Sequence, residues 1–364
     1  MSVAPESTPR VFGRSSWVLI SDGGPGQARS TLATVRALAA GGYRPVVTTS
    51  GGRSLAASSR FCSGVIEVPR AGELGYAATL RRQLGMGFLT LFPASDAALL
   101  ALGAPAARLV DKVLLDEEGR RASIAMAPSW SVSSSQQLME LVPELEFPVV
   151  VKPSVKHTIA ANHSARRVDS RAALEQIEVD TPVLVQPYID EPLRAVCGVM
   201  WKGKLAAVVH QRYQRTWPDE CGTASAAVTS TPDRILEERL EQLLAGHDGV
   251  FQAQFAGRYL LDLNPRVYGS LPLAVAAGAN LPAIVCDLIR GAEPNLVRGR
   301  EGVFYRWIEG DVRHALNAFR TKGIGARAAL RMLSPHKGAA HSTESLADPL
   351  PMVRRLLHAA RRSR

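Results

Sequence analysis

The residues best suited to chemistry gather late in the chain, in LLDLNPRVYGS, from Leu260 to Ser270. Tyr259 to Leu263 is apolar apart from Asp262 and predicts a strand. Side chains two apart on a strand share a face, so Asp262 and Asn264 point the same way, and both offer oxygens. Pro265 has no N–H to donate and ends the ladder, and Arg266 stands just beyond it. A carboxylate, an amide oxygen and a guanidinium so close together suit a hard cation carrying a polyphosphate. The same pattern also fits a strand that leaves a sheet into a polar turn, so other residues must discriminate.

Several do. FPVVVKP, Phe147 to Pro153, is an apolar strand that delivers one ammonium, Lys152, at its end; Lys112 opens a polar helix after Asp111. Both lysines are point charges suited to phosphates. VLVQPYI runs into Gln186, Pro187, Tyr188 and Ile189, whose backbone groups suit the edge of an adenine ring. FQAQF places Gln254 on the strand facing Asp262, on one face with it if the turn near Gly257 has three residues. Gln254, Asp262 and Asn264 then supply three oxygens for Mg²⁺, with ATP phosphates and water completing an octahedron; Gln252 is the rival if the register differs. Arg212 and Arg215 follow the VVH strand and are either substrate-carboxylate ligands or surface arginines. His210 is expected to be a satisfied strand histidine, and Trp201, Trp217 and Trp307 packing residues.

These side chains need elements to hold them. WVLIS, the glycine-bearing DGGPGQARS, a helix ending at Gly41–Gly42 and RPVVTT form a strand–loop–helix–strand unit of an open parallel sheet. GVIEVP and GFLTLFP predict two further strands. From Arg194 the pattern is antiparallel, with hairpins turning at Lys202–Gly203 and near Gly257. Pro232 to Ala245 and Pro272 to Arg290 read as helices, and beyond Arg300 only amphipathic helices are expected. The expected division is a disordered stretch 1–15, an α/β domain 16–108, a small α+β module 109–188, an antiparallel domain 189–310 and a basic helical extension 311–364.

Composition narrows the class. The chain has 364 residues, 46% hydrophobic and 21% charged, enough for two or three domains with a sizeable core. Four scattered cysteines without a CxxC pair argue against a zinc site or a disulfide framework and fit a reducing compartment. Neither a secretory signal nor a membrane span is expected, which together with the cysteines predicts a cytoplasmic protein. The net charge of +10 owes much to the tail arginines Arg354, Arg355, Arg361, Arg362 and Arg364, yet no aromatic platform accompanies them, so no nucleic-acid partner is expected. A homodimer is the default expectation for assembly.

FPVVVKP, VLVQPYI, FQAQF and LLDLNPR, in this order and spacing, resemble the ATP-grasp superfamily, over about Trp17 to about Gly291. Around Gln254 the chain looks most like carbamoyl-phosphate synthetase and biotin carboxylase domains. SLAASSRFC followed by VIEVP, with NPRVYGSL, resembles predicted carboxylate–amine ligases of the superfamily. The resemblance implies an ATP-grasp architecture: an N-terminal parallel-sheet domain, a small lid covering 109–188, and an antiparallel-sheet C-terminal domain with the metal site. It implies phosphate binding by Lys112 and Lys152, adenine binding at Gln186 to Ile189, and magnesium on Gln254, Asp262 and Asn264. Arg266 would stabilise an acyl-phosphate and its tetrahedral adduct, with Asn264 beside it. The implied activity joins a small-molecule carboxylate to an amine and releases ADP and phosphate. The alternatives are a carboxylase, a kinase-like phosphoryl transfer, and a module that binds ATP without turning it over. The departures are Gln254, Asp262 and Gln186 where the family commonly has glutamate, and no glycine from Ser154 to Arg167, where Lys156 or His157 would take over phosphate contacts.

Overall fold

In the computed structural model the described residues are 16–24, 28–52, 54–155, 165–321 and 323–362, with side chains described as far as 357. The stretch 1–15, Lys156 and His157 lie outside them. Strands β1 (Trp17–Ser21), β2 (Arg44–Thr49), β3 (Gly64–Glu67) and β4 (Leu91–Pro93) form a parallel sheet in the order β3-β2-β1-β4. Val18, Leu19 and Ile20 are fully buried, as expected of an apolar run covered on both faces. GFLTLFP contributes only its last three residues to the sheet. Gly87 has φ +102° and closes the turn after the Tyr76–Gly85 helix; the Leu89 amide then bonds Trp17 O at 2.8 Å, and the strand proper runs from Leu91.

The second sheet holds β5 (Trp130–Val132), β6 (Val149–Pro153), β7 (Arg166–Val168) and β8 (Val183–Pro187), antiparallel in the order β5-β8-β6-β7. Val149, Val151 and Val185 pack with Leu138 and Leu174 in its core. Strand parity then turns Val150, Lys152 and Gln186 to the other face. The Lys112–Arg121 helix, capped by Asp111 through the Val113 amide at 2.9 Å, does not join that core. Its Leu115 packs with Phe255, Leu260 and Leu263 of the third sheet.

The third sheet is the largest. Its path runs β13-β12-β9-β10-β11-β15-β16. The members are β9 (Leu193–Trp201), β10 (Lys204–Trp217), β11 (Thr223–Thr229), β12 (Gly249–Ala256) and β13 (Tyr259–Asn264), then β14 (Val297–Arg298), β15 (Phe304–Arg306) and β16 (Ala340–His341). The hairpins expected at Lys202–Gly203 and Gly257 are present. Parallel pairing of β14 with β10 and of β16 with β15 makes the sheet mixed rather than purely antiparallel. The expectation of helices alone after Arg300 is therefore corrected. FYR at 304–306 is a short buried strand beside β11, too brief for its period to show in the sequence. The expected 272–290 helix is two, Leu271–Ala276 and Leu281–Ile289, parted where Gly278 takes φ +98° and Asn280 caps the second. Past β16 the chain returns to the first sheet. Buried Asp348 accepts from Arg36 Nε at 2.9 Å, Ser59 Oγ at 2.7 Å and the Arg60 amide at 2.9 Å. Among the described residues no helix is long and apolar enough to cross a membrane.

Candidate active site

Register builds the site. On β12 the residues Phe251, Ala253 and Phe255 enter the core, which leaves Gln252 and Gln254 on the opposite face. The hairpin sets Gln254 opposite Asp262 and Gln252 opposite Asn264. This register is reached without a three-residue turn. Ala256 faces Tyr259 across two residues, and the missing parity step is a bulge at Leu261, between the pairs Phe255–Leu260 and Gln254–Asp262. Because of the bulge Leu260 and Leu263 both reach the core, while Asp262 and Asn264 turn away from it together. The bulge also releases a carbonyl from the ladder: Leu261 O accepts from Lys152 Nζ at 2.9 Å, tying the second sheet to the third.

The two sheets face each other across a cavity of about 410 Å³. Lys152, Gln186, Pro187, Tyr188 and Ile189 line it from the side of the second sheet, and Lys112, Gln252, Gln254, Asp262, Asn264 and Arg266 from the side of the third. Lys112 Nζ meets Asp262 Oδ1 at 2.8 Å, with side chains only 6% and 22% exposed. Burial acts to lower the Lys112 pKa, but the Asp262 charge and hydrogen bond outweigh it, and the net shift is upward. Arg266 donates from Nε to Asp96 Oδ1 at 2.6 Å and from Nη2 to Asn264 Oδ1 at 2.7 Å. Gln254 Nε2 donates to Gln252 Oε1 at 3.1 Å, and Gln252 Nε2 to Ser270 Oγ at 3.3 Å. Both glutamines thus belong to one network on one face of the sheet. Tyr213 and Tyr268, on the cavity wall, are pushed up in pKa chiefly by burial, so they act as neutral phenols.

One carboxylate and neutral amide oxygens form a hard donor set, and Mg²⁺ is commonly held by one or two carboxylates plus substrate phosphates and water. The oxygens of Gln254, Asp262 and Asn264 fit that description for a single ion. Arg212 and Arg215 do not fit the place expected of them. Arg212 is exposed and neither residue lines the cavity. Arg215 instead clamps fully buried Asp311 through Nε at 2.5 Å and Nη2 at 3.0 Å, on a bulged stretch of β10. His210 pairs with Glu237 at 3.0 Å, the satisfied histidine expected. Tyr188 spends its amide on Pro148 O at 2.9 Å. Sequence reasoning missed Asp96, which orients Arg266 from the first domain; its signal, Ser95–Asp96 at a helix start, predicts a cap and not a partner 170 residues away.

A family model described as ATP-grasp in the biosynthetic pathway with Ter operon matches residues 180–311, the part that carries β8 to β15. Over that stretch the chain is similar to the ATP-grasp family. The carbamoyl phosphate synthase large chain of Vibrio vulnificus is 21% identical over 203 residues, which cover 50% of this chain and 19% of that protein. The chain thus matches about a fifth of the length of such curated relatives. The biotin carboxylase domain of Hydrogenobacter thermophilus 2-oxoglutarate carboxylase, solved with MgADP, ADP and bicarbonate, superposes with TM-score 0.58 at 14% identity, over 80% of this chain and 74% of that one. The L-amino acid ligase of Bacillus licheniformis gives 0.56 at 13% identity, over 77% and 76%. At such identities the ATP-grasp fold is what the structures share with this chain.

Proposed function

We propose that this ATP-grasp chain is an ATP- and Mg²⁺-dependent ligase that joins a carboxylate to an amine through an acyl-phosphate and releases ADP and phosphate. The observation that carries the proposal is convergence. Two buried lysines, one guanidinium and an amide–carboxylate set meet in one cavity, opposite a linker suited to a purine. Nucleotide and Mg²⁺ in a solved relative of this fold support the same use of the site.

In this mechanism the linker Gln186–Ile189 holds adenine, with the Ile189 amide as the donor left after Tyr188 has bonded Pro148. Lys112 and Lys152 neutralise the phosphates. Magnesium, held by Asp262, Asn264 and Gln254, would draw charge off the β- and γ-phosphoryl oxygens. The substrate carboxylate attacks the γ-phosphorus; the bond to the β,γ-bridging oxygen breaks and ADP leaves. The amine nitrogen then attacks the acyl carbon, the C–O bond to phosphate breaks, and the nitrogen loses a proton. Arg266, held by Asp96, faces the oxygen on which negative charge grows. Positioning and charge neutralisation dominate, consistent with a cavity in which no histidine lies among the described residues.

The test is an ADP-release screen of carboxylates against amines, with hydroxylamine trapping. An acyl hydroxamate is expected. For Arg266→Ala, MgADP affinity should stay within about two-fold while turnover falls by about 10²- to 10³-fold, the scale of removing a charge-stabilising donor. Near wild-type turnover in that variant would overturn the role given to Arg266. ATP binding without ADP release under any mixture would favour a non-catalytic module, in which Lys112 and Arg266 keep the metal-facing oxygens occupied.

A further inference from the structure

The cavity reaches beyond the nucleotide residues to Gly222, Thr223 and Gly269. Arg29, at the first turn of the Arg29–Ala40 helix, stands behind that end. Its Nη2 donates to Thr223 Oγ1 at 3.1 Å, and its Nη1 donates to Tyr305 Oη at 3.2 Å and Ser342 Oγ at 3.3 Å. The Trp307 ring covers it at 3.7 Å from the centroid. These contacts draw Arg29 onto three parts of the molecule at once, yet every partner is neutral. Among the described residues no carboxylate pairs with it. Arg36, on the same helix, shows the contrast, being saturated by Asp348 and by the carbonyls of Ser342, Thr343 and Asp348.

Donors exceed acceptors here. A guanidinium has five N–H groups, and the three bonds to Thr223, Tyr305 and Ser342 leave two without partners among the described residues. The buried Trp307 Nε1 has none either. On the cavity side, Gly269 lies against the guanidinium: a Cβ there would sit 3.4 Å from Arg29 Nη2. Arg29 does not itself line the cavity, but it lies directly behind two residues that do, Thr223 and Gly269. A guanidinium with donors unpaired among the described residues, lying behind two residues of the cavity wall, suits a carboxylate.

We infer that Arg29 anchors a second, non-reacting carboxylate of the ligation substrates. The inference rests on the proposed ligase reaction for its view of which end takes substrate. The reacting carboxylate must lie by Arg266 and the γ-phosphate, so the charge that Arg29 meets is another one. It belongs either to the amine, which is then an amino acid, or to the acid, which is then a dicarboxylate.

The experiment measures binding to the full chain in the presence of MgADP, by calorimetry, without turnover. One arm sets each proteinogenic L-amino acid against its decarboxylated amine. The other sets succinate and glutarate against propionate and butyrate. At least one carboxylate-bearing probe should bind about 10- to 100-fold tighter than its counterpart, the worth of a hydrogen-bonded charge pair. Arg29→Gln should erase that difference while MgADP affinity is unchanged. Arg29→Lys, which keeps the charge under Trp307 but loses the fork, should retain only part of it, and it carries the test if the glutamine variant does not fold. Discrimination that survives in Arg29→Gln, or a wild-type chain for which no probe binds better than its counterpart, overturns the inference. Because only binding is read, failure to find ATP turnover would count against the ligase reaction and not against this anchor.

Discussion

Asp262→Asn tests the centre of the site twice over. In the wild-type chain the Lys112 ammonium, 6% exposed, rests 2.8 Å from the Asp262 carboxylate. Removing one charge of a buried pair leaves the other uncompensated, which costs about 3–5 kcal/mol when both are fully buried. Asp262 keeps 22% of its side chain in solvent, and Asp96 adds a second, more distant negative charge to the field at Lys112, so the expected loss is smaller, about 2–3 kcal/mol. The Lys112 pKa is raised in the folded chain, so its contribution is fully present below about pH 10 and fades only as pH climbs through the raised value. The stability difference between the two proteins should therefore be flat from about pH 6 to about pH 9. The assay is urea unfolding followed by tryptophan fluorescence for wild type, Asp262→Asn, Lys112→Met and the double variant. The cycle should give a coupling energy above about 1 kcal/mol. In parallel, calorimetric titration of Mg²⁺ into the ADP complex should show about ten-fold or greater weakening in Asp262→Asn, since the proposed donor set loses its one carboxylate. A coupling energy near zero together with undiminished Mg²⁺ binding would refute the placement of both residues.

Two further outcomes follow from the same geometry. Arg215→Ala leaves Asp311, which has no exposure, with Arg306 at 2.9 Å as its remaining ion partner, so unfolding stability should drop by about 2–4 kcal/mol while KM for the carboxylate is unchanged; a raised KM in a fully stable variant would restore Arg215 as a substrate ligand. Burial acts to raise the Asp348 pKa, but Ser59, the Arg60 amide and Arg36 together hold it below its ordinary value. A lowered carboxylate pKa stabilises above its unfolded value, so the tie between the C-terminal segment and the first sheet should weaken as pH falls below about 4. Limited pepsin digestion, with Asp348→Asn as the reference already loosened at higher pH, would show it; identical digestion of the two proteins above that pH would remove the role.

Much of the site was legible because strands have a strict period. Lys152 shares a face with Val150 while Val149 and Val151 fill a core, and Asp262 and Asn264 share theirs, all of which follows from spacing two apart. The parallel first sheet and the hairpin at Lys202–Gly203 were legible for similar local reasons: apolar runs of strand length, and a Lys–Gly turn with both residues at positive φ. FYR at 304–306 was not, since three residues hold no measurable period and owe their strand to β11 alongside them. Arg212 and Arg215 show the opposite error. Their place after an apolar strand suggested a ligand role, but a bulge in β10 and a buried Asp311 on a later helix took Arg215 for the interior.

What the sequence by itself determined is which side chains share a face and which charges stand at the ends of apolar strands, because those follow from alternation and from the absence of a proline N–H. Tertiary structure alone decided how the faces meet. The Leu261 bulge restored the parity that a two-residue turn would have lost, and it freed a carbonyl for Lys152. Asp96 reached Arg266 from the first domain, and Arg29 was left among neutral partners behind the cavity. Bulges and long-range ion pairs depend on groups that become neighbours only when separate sheets pack, and no local spacing encodes them.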